Sequence, residues 1–236
     1  MPTIPRLYVP ADLTPGATIA GTTSQAHYLS TVLRCQPGAP VHLFNGRDGE
    51  WQAHIAALRR DRLSLTIETQ RRPQQPEPDL WLVFALLKRD ATDLVVQKAT
   101  ELGVSALHPV LTERTNAART NPARLIAIAT EAAEQCERLT VPLIRPPRRL
   151  SDLLAGWPPD RPLFAATERA INAVPLRATT TPAALLIGPE GGFAPSELEA
   201  MPRHPFVTPI SLGRRILRAE TACVAGLALL QAPLCG

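Results

Sequence analysis

The chain has 236 residues, 45% of them hydrophobic and 19% charged, which supports one or two packed domains and excludes a disordered chain. No stretch reaches the roughly eighteen consecutive apolar residues of a membrane span, and the four cysteines form no CxxC pair, so neither a zinc site nor a disulfide framework is expected. The net charge of +4 points mildly towards nucleic acid. Nearly all of that positive charge is arginine, with lysine only at 88 and 98. Arginine's planar fork suits phosphate and stacks on bases; a GC-rich coding sequence would produce the same bias, and would also raise alanine and proline. The first residues carry no apolar stretch like that of a signal peptide, so a cytoplasmic, reduced protein without a metal is expected.

In chain order, a helix is predicted over residues 24–34, followed by strands at 41–44 and 51–55. The strands flank Asn45-Gly46-Arg47-Asp48-Gly49, which carries both an Asn-Gly and an Asp-Gly hairpin signal. Leu63, Leu65 and Ile67 alternate with polar residues and predict another strand. Short strands and tight turns over about 70 residues suggest a small β-barrel, a common RNA-binding shape. Residues 71–79 contain three prolines and no large apolar side chain. They read as a stiff linker, and the domains are placed at 1–72 and 73–236.

After the linker, strand and helix alternate. Strands are expected at 80–87, 106–111, 141–144, 163–167, 185–187 and 206–212. Helices are expected over 90–102, closed by Gly103, over 121–138, opened by Asn121-Pro122, and over 219–231. Such alternation predicts a parallel sheet covered on both faces. Two segments stand out. Residues 185–193 (Leu-Leu-Ile-Gly-Pro-Glu-Gly-Gly-Phe) and 210–222 (Ile-Ser-Leu-Gly-Arg-Arg-Ile-Leu-Arg-Ala-Glu-Thr-Ala) each pass from an apolar run through glycine into a helical pattern. Side by side, two such junctions make a pocket lined by backbone, suited to a nucleotide-like cofactor. Neither GxxxxGK[ST] nor GxGxxG occurs at a strand–helix junction, so a ligand with an adenosine but no pyrophosphate fits better, S-adenosylmethionine above all.

Four regions carry a resemblance. Residues 27–34 (His-Tyr-Leu-Ser-Thr-Val-Leu-Arg), 97–104 (Gln-Lys-Ala-Thr-Glu-Leu-Gly-Val), 131–136 (Glu-Ala-Ala-Glu-Gln-Cys) and the two C-terminal segments are similar to the RsmE group of SPOUT-type RNA methyltransferases. The resemblance covers essentially the whole chain. It implies an α/β fold: a small PUA-like β-barrel domain followed by a SPOUT-type knotted parallel-sheet methyltransferase domain with a C-terminal trefoil knot. It further implies a homodimer that binds S-adenosylmethionine in the knot and methylates N3 of one uridine in 16S ribosomal RNA of the small subunit. One departure is Glu137, where the family pattern leads us to expect glycine. The alternative is an RNA-binding or ribosome-assembly protein of the same fold that has lost catalysis; intact glycine loops favour the enzyme.

By that resemblance the cofactor is expected against Thr167, Ile187, Gly188, Pro189, Gly191, Gly192, Ile210, Ser211, Leu212, Gly213, Ile216, Leu217, Arg218, Thr221 and Ala222. Glycine lets main-chain groups approach a ligand that side chains would block. Methyl transfer disperses the sulfonium charge, so a carboxylate held against it would favour the ground state. Glu190 is therefore assigned to the loop or to the uracil. Loss of the imide proton places negative charge on the ring, and Arg218 is the first candidate to stabilise it. For the RNA backbone the candidates are Arg6, Arg34, Lys88, Arg89 and Arg114.

Overall fold

A computed structural model describes residues 4–115, 120–167, 173–176 and 181–231. The chain divides into two units, one running to Pro76 and including Ala133–Val141, the other made of Glu77–Ala132 and the residues from Pro142 onward.

The first unit is built on alternation. Leu63, Leu65 and Ile67 are buried while their neighbours are not, and the same period places Val41, Leu43, Ala53 and Ile55 on one side of a curled sheet. Its strands are β1 (Arg6–Tyr8), β2 (Thr18–Ala20), β3 (Pro40–Phe44), β4 (Glu50–Leu58) and β5 (Leu63–Arg72), in the order β1-β3-β4-β5-β2. The Asn45–Gly49 turn joins β3 to β4 as the sequence predicts. Asn45 Oδ1 accepts from the amides of Arg47 and Asp48, so the side chain itself closes the turn. The helix predicted over 24–34 is shorter: α1 (Thr23–His27) starts at a Thr22–Gln25 capping box and passes into a π-helical turn at Tyr28–Val32.

Ala133–Val141 joins this unit through a buried arginine. Arg6 is only 9% exposed. Its Nε donates to Glu50 Oε1 at 2.7 Å, and its terminal nitrogens donate to the carbonyls of Ala133, Glu134 and Arg138 at 2.9 Å each. Arg6 thus satisfies the carbonyls that the C-terminus of α3 (Pro122–Gln135) leaves open. Burial works to raise the Glu50 carboxyl, but the hydrogen bonds from Arg72 and Arg6 outweigh it and hold it below the usual carboxylate range. Just beyond the helix, Glu137 has φ +60, the left-handed position where glycine normally ends a helix. Here a residue with a Cβ occupies it, and its carbonyl accepts from Arg72 Nη2.

The second unit holds a sheet whose strand pairs are all parallel. Its strands are β6 (Leu80–Ala85), β7 (Ala106–Leu111), β8 (Leu143–Ile144), β9 (Arg148–Arg149), β10 (Leu163–Ala166), β11 (Val174–Pro175), β12 (Ala183–Ile187) and β13 (Val207–Ser211). The order is β11-β13-β10-β12-β6-β7-β8, with β9 also on β7. On one face lie α2 (Arg89–Glu101) and α6 (Ala219–Gln231); on the other, α4 (Leu150–Ala155) packs with Trp157, Phe193 and Met201. A short α5 (Pro195–Ala200) precedes β13. The sequence reading missed α4, α5, β9 and β11, all too short to show a period. At Gly226 the helix α6 comes so close to β12 that a Cβ would lie 2.6 Å from Leu185 Cδ2. The connection from β10 to β12 includes residues 168–172 and 177–180, which lie outside the described residues. No helix among the described residues is long and apolar enough to cross a membrane.

At the N-terminal end of this sheet Trp81 is sandwiched between His108, with ring centroids 4.6 Å apart, and the Arg161 guanidinium, 3.7 Å above the ring. Asp79 bonds Arg161 and accepts from Ser105 Oγ. Both His108 ring nitrogens are buried without a hydrogen-bond partner among the described residues. Burial, followed by the charges of Arg148, Arg145 and Arg161, pushes this imidazole down to about 4.

Two predictions follow from these strained positions. Glu137→Gly relieves the left-handed backbone, and its urea midpoint should rise, corresponding to about 1 kcal/mol of added stability; a fall would show that the Glu137 side chain holds structure. Between pH 6.5 and about 4 the unfolded chain binds a proton at His108 that the folded chain refuses. Stability should therefore drop as pH falls through that window, by on the order of 3 kcal/mol in full. Melting curves of the wild type and His108→Phe should converge in slope above pH 6.5 and diverge below it.

Candidate functional site

Strand β10 sits between β12 and β13, so the loops leaving the three strands emerge together at the C-terminal edge of the sheet. In open α/β sheets this edge is where ligands bind. There Ala166, Ile210, Ser211, Leu212, Gly213, Arg215, Leu217 and Ala222 line a recess. Small residues, Ala166, Gly213 and Ala222, make up part of its wall. Gly213 has φ +118, a conformation L side chains rarely adopt, and Ser211 Oγ bonds both its amide and its carbonyl at 3.3 Å, fixing the turn. Apolar contact comes from Ile210, Leu212 and Leu217. The floor is the first turn of α6, where Ala222 donates its amide to the Arg218 carbonyl.

Next to Ala166 is Thr167, whose amide donates to Ile210 O at 3.1 Å. Its Oγ1 is buried and has no hydrogen-bond partner among the described residues. A buried hydroxyl without a partner at the mouth of a recess fits a ligand that brings its own donor or acceptor. The recess therefore suits a nucleoside-like group.

Of the residues expected at the cofactor, Ile210, Ser211, Leu212, Gly213, Leu217 and Ala222 line this recess, and Thr167 adjoins it. Ile187 is buried at the end of β12, and Gly188, Pro189, Gly191 and Gly192 form the loop that follows, closed by the Gly192 amide on the Pro189 carbonyl at 2.8 Å. That loop lies outside the recess lining, as do Ile216 (65% exposed), Arg218 and Thr221. The sequence reading missed Ala166 and Arg215. Each directly adjoins a predicted position or motif residue, and only the fold shows which flanking residue turns inward.

Glu190 and Arg218 are exposed and have no side-chain partner among the described residues. Both are free to meet a substrate. Lys88 and Arg89 are exposed where β6 gives way to α2, at the same sheet edge. Arg34 is exposed in the first unit with φ +53. Arg114 is exposed but bonds the Gly191 carbonyl through Nη1 at 2.9 Å. Arg6 differs from all of these. Its guanidinium is buried and committed to Glu50 and three carbonyls, so it is a helix cap and leaves nothing for RNA phosphate. From sequence alone an arginine near the N-terminus of a basic chain looks like any other; its carbonyl partners lie more than 120 residues away.

Residues 74–231 match the model of the RNA methyltransferase domain, and residues 22–68 match that of the RNA methyltransferase PUA domain. The chain is 32% identical to the ribosomal RNA small subunit methyltransferase E of Rickettsia conorii, over 94% of this chain and 93% of that protein. The chain belongs to the ribosomal RNA small subunit methyltransferase E family. Within the family, the Bacillus subtilis protein is 29% identical over 87% of this chain and 86% of its own length. Among solved structures, the Neisseria gonorrhoeae family member bound to S-adenosyl methionine superposes with a TM-score of 0.88, 29% identity and 98% of both chains covered. A methyltransferase from Legionella pneumophila in complex with the same cofactor gives a TM-score of 0.88, at 29% identity and 98% coverage of both chains. The parallel sheet and the PUA-like first unit are thus those of the SPOUT methyltransferases, as the resemblance implied.

The orphan hydroxyl of Thr167 offers a direct check. Thr167→Val removes a buried hydroxyl that has no partner among the described residues, so the ligand-free protein should melt at an unchanged or slightly higher temperature. The same variant should bind S-adenosylmethionine about fivefold more weakly by calorimetry, the worth of one hydrogen bond. Equal affinity would remove Thr167 from the site.

Proposed function

We propose that this protein transfers the methyl group of S-adenosylmethionine to N3 of one uridine in 16S ribosomal RNA of the small subunit. The observation that carries this reading is the recess at the C-terminal ends of β10 and β13, with the Thr167 hydroxyl, partnerless among the described residues, at its edge, in a chain that superposes on a cofactor-bound relative over nearly its whole length.

The cofactor, when bound, supplies an electrophilic methyl on a sulfonium. The chain's own contribution is placement and charge. Leu212, Gly213, Ile210 and Leu217 would hold the cofactor's nucleoside. The uridine must be unpaired or flipped for N3 to be reached. As the N3–H bond gives up its proton, charge spreads onto the uracil oxygens. Arg218, exposed just before α6 and without an ion pair among the described residues, stabilises that charge. Glu190 is available to accept a hydrogen bond from the N3–H; it does not touch the sulfonium. Much of the rate comes from alignment of methyl and nitrogen.

Residues 1–72 form the RNA-binding barrel and 73–236 the catalytic domain, carrying the knot. Arg34, Lys88 and Arg89 contact the RNA backbone. Two copies associate through α6, whose Val224 and Leu229 are apolar yet 36% and 45% exposed. The protein works in the cytoplasm, where its substrate is.

Two measurements test this. Calorimetry should show S-adenosylmethionine binding in the micromolar range, worth about 8 kcal/mol at 1 μM. Mass mapping of small-subunit RNA from a deletion strain should show one N3-methyluridine lost and regained on complementation. Persistence of every such nucleotide sinks the substrate assignment, and binding without methylation supports the inactive binder instead.

A further inference from the structure

The loop after β7 and the loop after β12 are tied together at the sheet edge. Residues 112–115 close on themselves: Thr115 Oγ1 accepts from the Thr112 amide at 2.9 Å, and the Thr115 amide donates to the Thr112 carbonyl at 3.1 Å. From this closed turn Glu113 and Arg114 reach across. The Glu113 amide donates to Glu197 Oε1 at 3.0 Å, and the other oxygen of the same carboxylate accepts from the Ala194 amide at 2.8 Å. Ser196 Oγ donates to Glu113 Oε1 at 2.5 Å. Arg114 Nη1 donates to the Gly191 carbonyl at 2.9 Å, and its Cβ and Cδ lie 3.8 Å from where a Gly191 Cβ would be, so the arginine stem covers that glycine.

Glu113, Arg114, Gly191 and Ser196 are all exposed, so these bonds add little to global stability. Their effect is local. Gly191 and Gly192 have no side chains to hold them, and a loop of this kind samples many backbone states. Fixing the Gly191 carbonyl fixes the peptide plane between Gly191 and Gly192, one residue beyond Glu190, and Glu197 fixes the other end at Ala194. The clamp therefore sets where Glu190 and the loop backbone stand at the site.

We propose that Arg114 and Glu197 are positioning residues that hold the 188–192 loop in its working conformation, Arg114 through the Gly191 carbonyl and Glu197 by joining the amides of Glu113 and Ala194. This rests on the methyltransferase reading. It also gives Arg114 a task other than RNA contact.

The test uses the full-length protein and small subunits from the deletion strain. Arg114→Met and Glu197→Ala should each lower kcat at saturating RNA about tenfold or more, the loss of one charge-assisted hydrogen bond. KM for the subunit should change less than about threefold, a pattern that marks loss of an interaction used only at the chemical step. Arg114→Lys, with one donor able to reach Gly191 O, should recover most of kcat, and melting temperatures should stay within a few degrees. If Arg114→Met instead raises KM for the subunit with kcat intact, the residue is an RNA contact and the proposal is wrong. Hydrogen exchange of the ligand-free protein separates this from failure of the functional reading. Amides across 188–194 should exchange faster in Arg114→Met and Glu197→Ala whether or not the wild type methylates RNA, and unchanged exchange overturns the clamp.

Discussion

Strand β10 hydrogen-bonds to β12 on one side and β13 on the other, and the site depends on that arrangement. The chain leaves β12, forms α5 and returns beyond β10, so segments far apart in sequence open onto one edge. Parallel pairing is what aligns them. All of these strands end at the same side of the sheet, and backbone from β10 and β13 meets the first turn of α6 there. The close approach of α6 at Gly226 completes the recess, because it brings Ala222 to its floor.

Polar groups around this frame divide into two kinds. Some are consumed by structure. Arg6, buried with Glu50 and the carbonyls of Ala133, Glu134 and Arg138, ends α3 within the first unit, and removing its charge partner would leave an uncompensated cation. Glu134 similarly accepts from the Tyr8 amide at 2.9 Å. The Trp81 sandwich with His108 and Arg161 is a second structural use of basic groups, with the histidine kept neutral. Others are left unengaged at the sheet edge: the Thr167 hydroxyl, the Glu190 carboxylate and the Arg218 guanidinium. That contrast separates the groups that hold the fold from those available for chemistry.

The placement of Glu190 follows the same logic. Its neighbours are two glycines and a proline, which impose a turn but do not choose among its orientations. The choice comes from outside the loop, through Arg114 on Gly191 and Glu197 on Ala194 and Glu113.

Much of this was legible from the chain alone. Alternation at Leu63, Leu65 and Ile67 marked the curled sheet, and the apolar runs at 80–87 and 163–167 marked parallel strands. Of the residues singled out in and around the paired glycine segments, six line the recess at the sheet edge. These features are local, since burial period and backbone chemistry act over a few residues. Tertiary structure decided what depends on distant partners. It made Arg6 a helix cap, placed Glu137 in a left-handed position, turned Ala166 and Arg215 into the recess and joined Arg114 to Gly191. In each case the deciding atom lies on another strand or loop, and residue type cannot report which carbonyl a guanidinium will meet once the chain has folded.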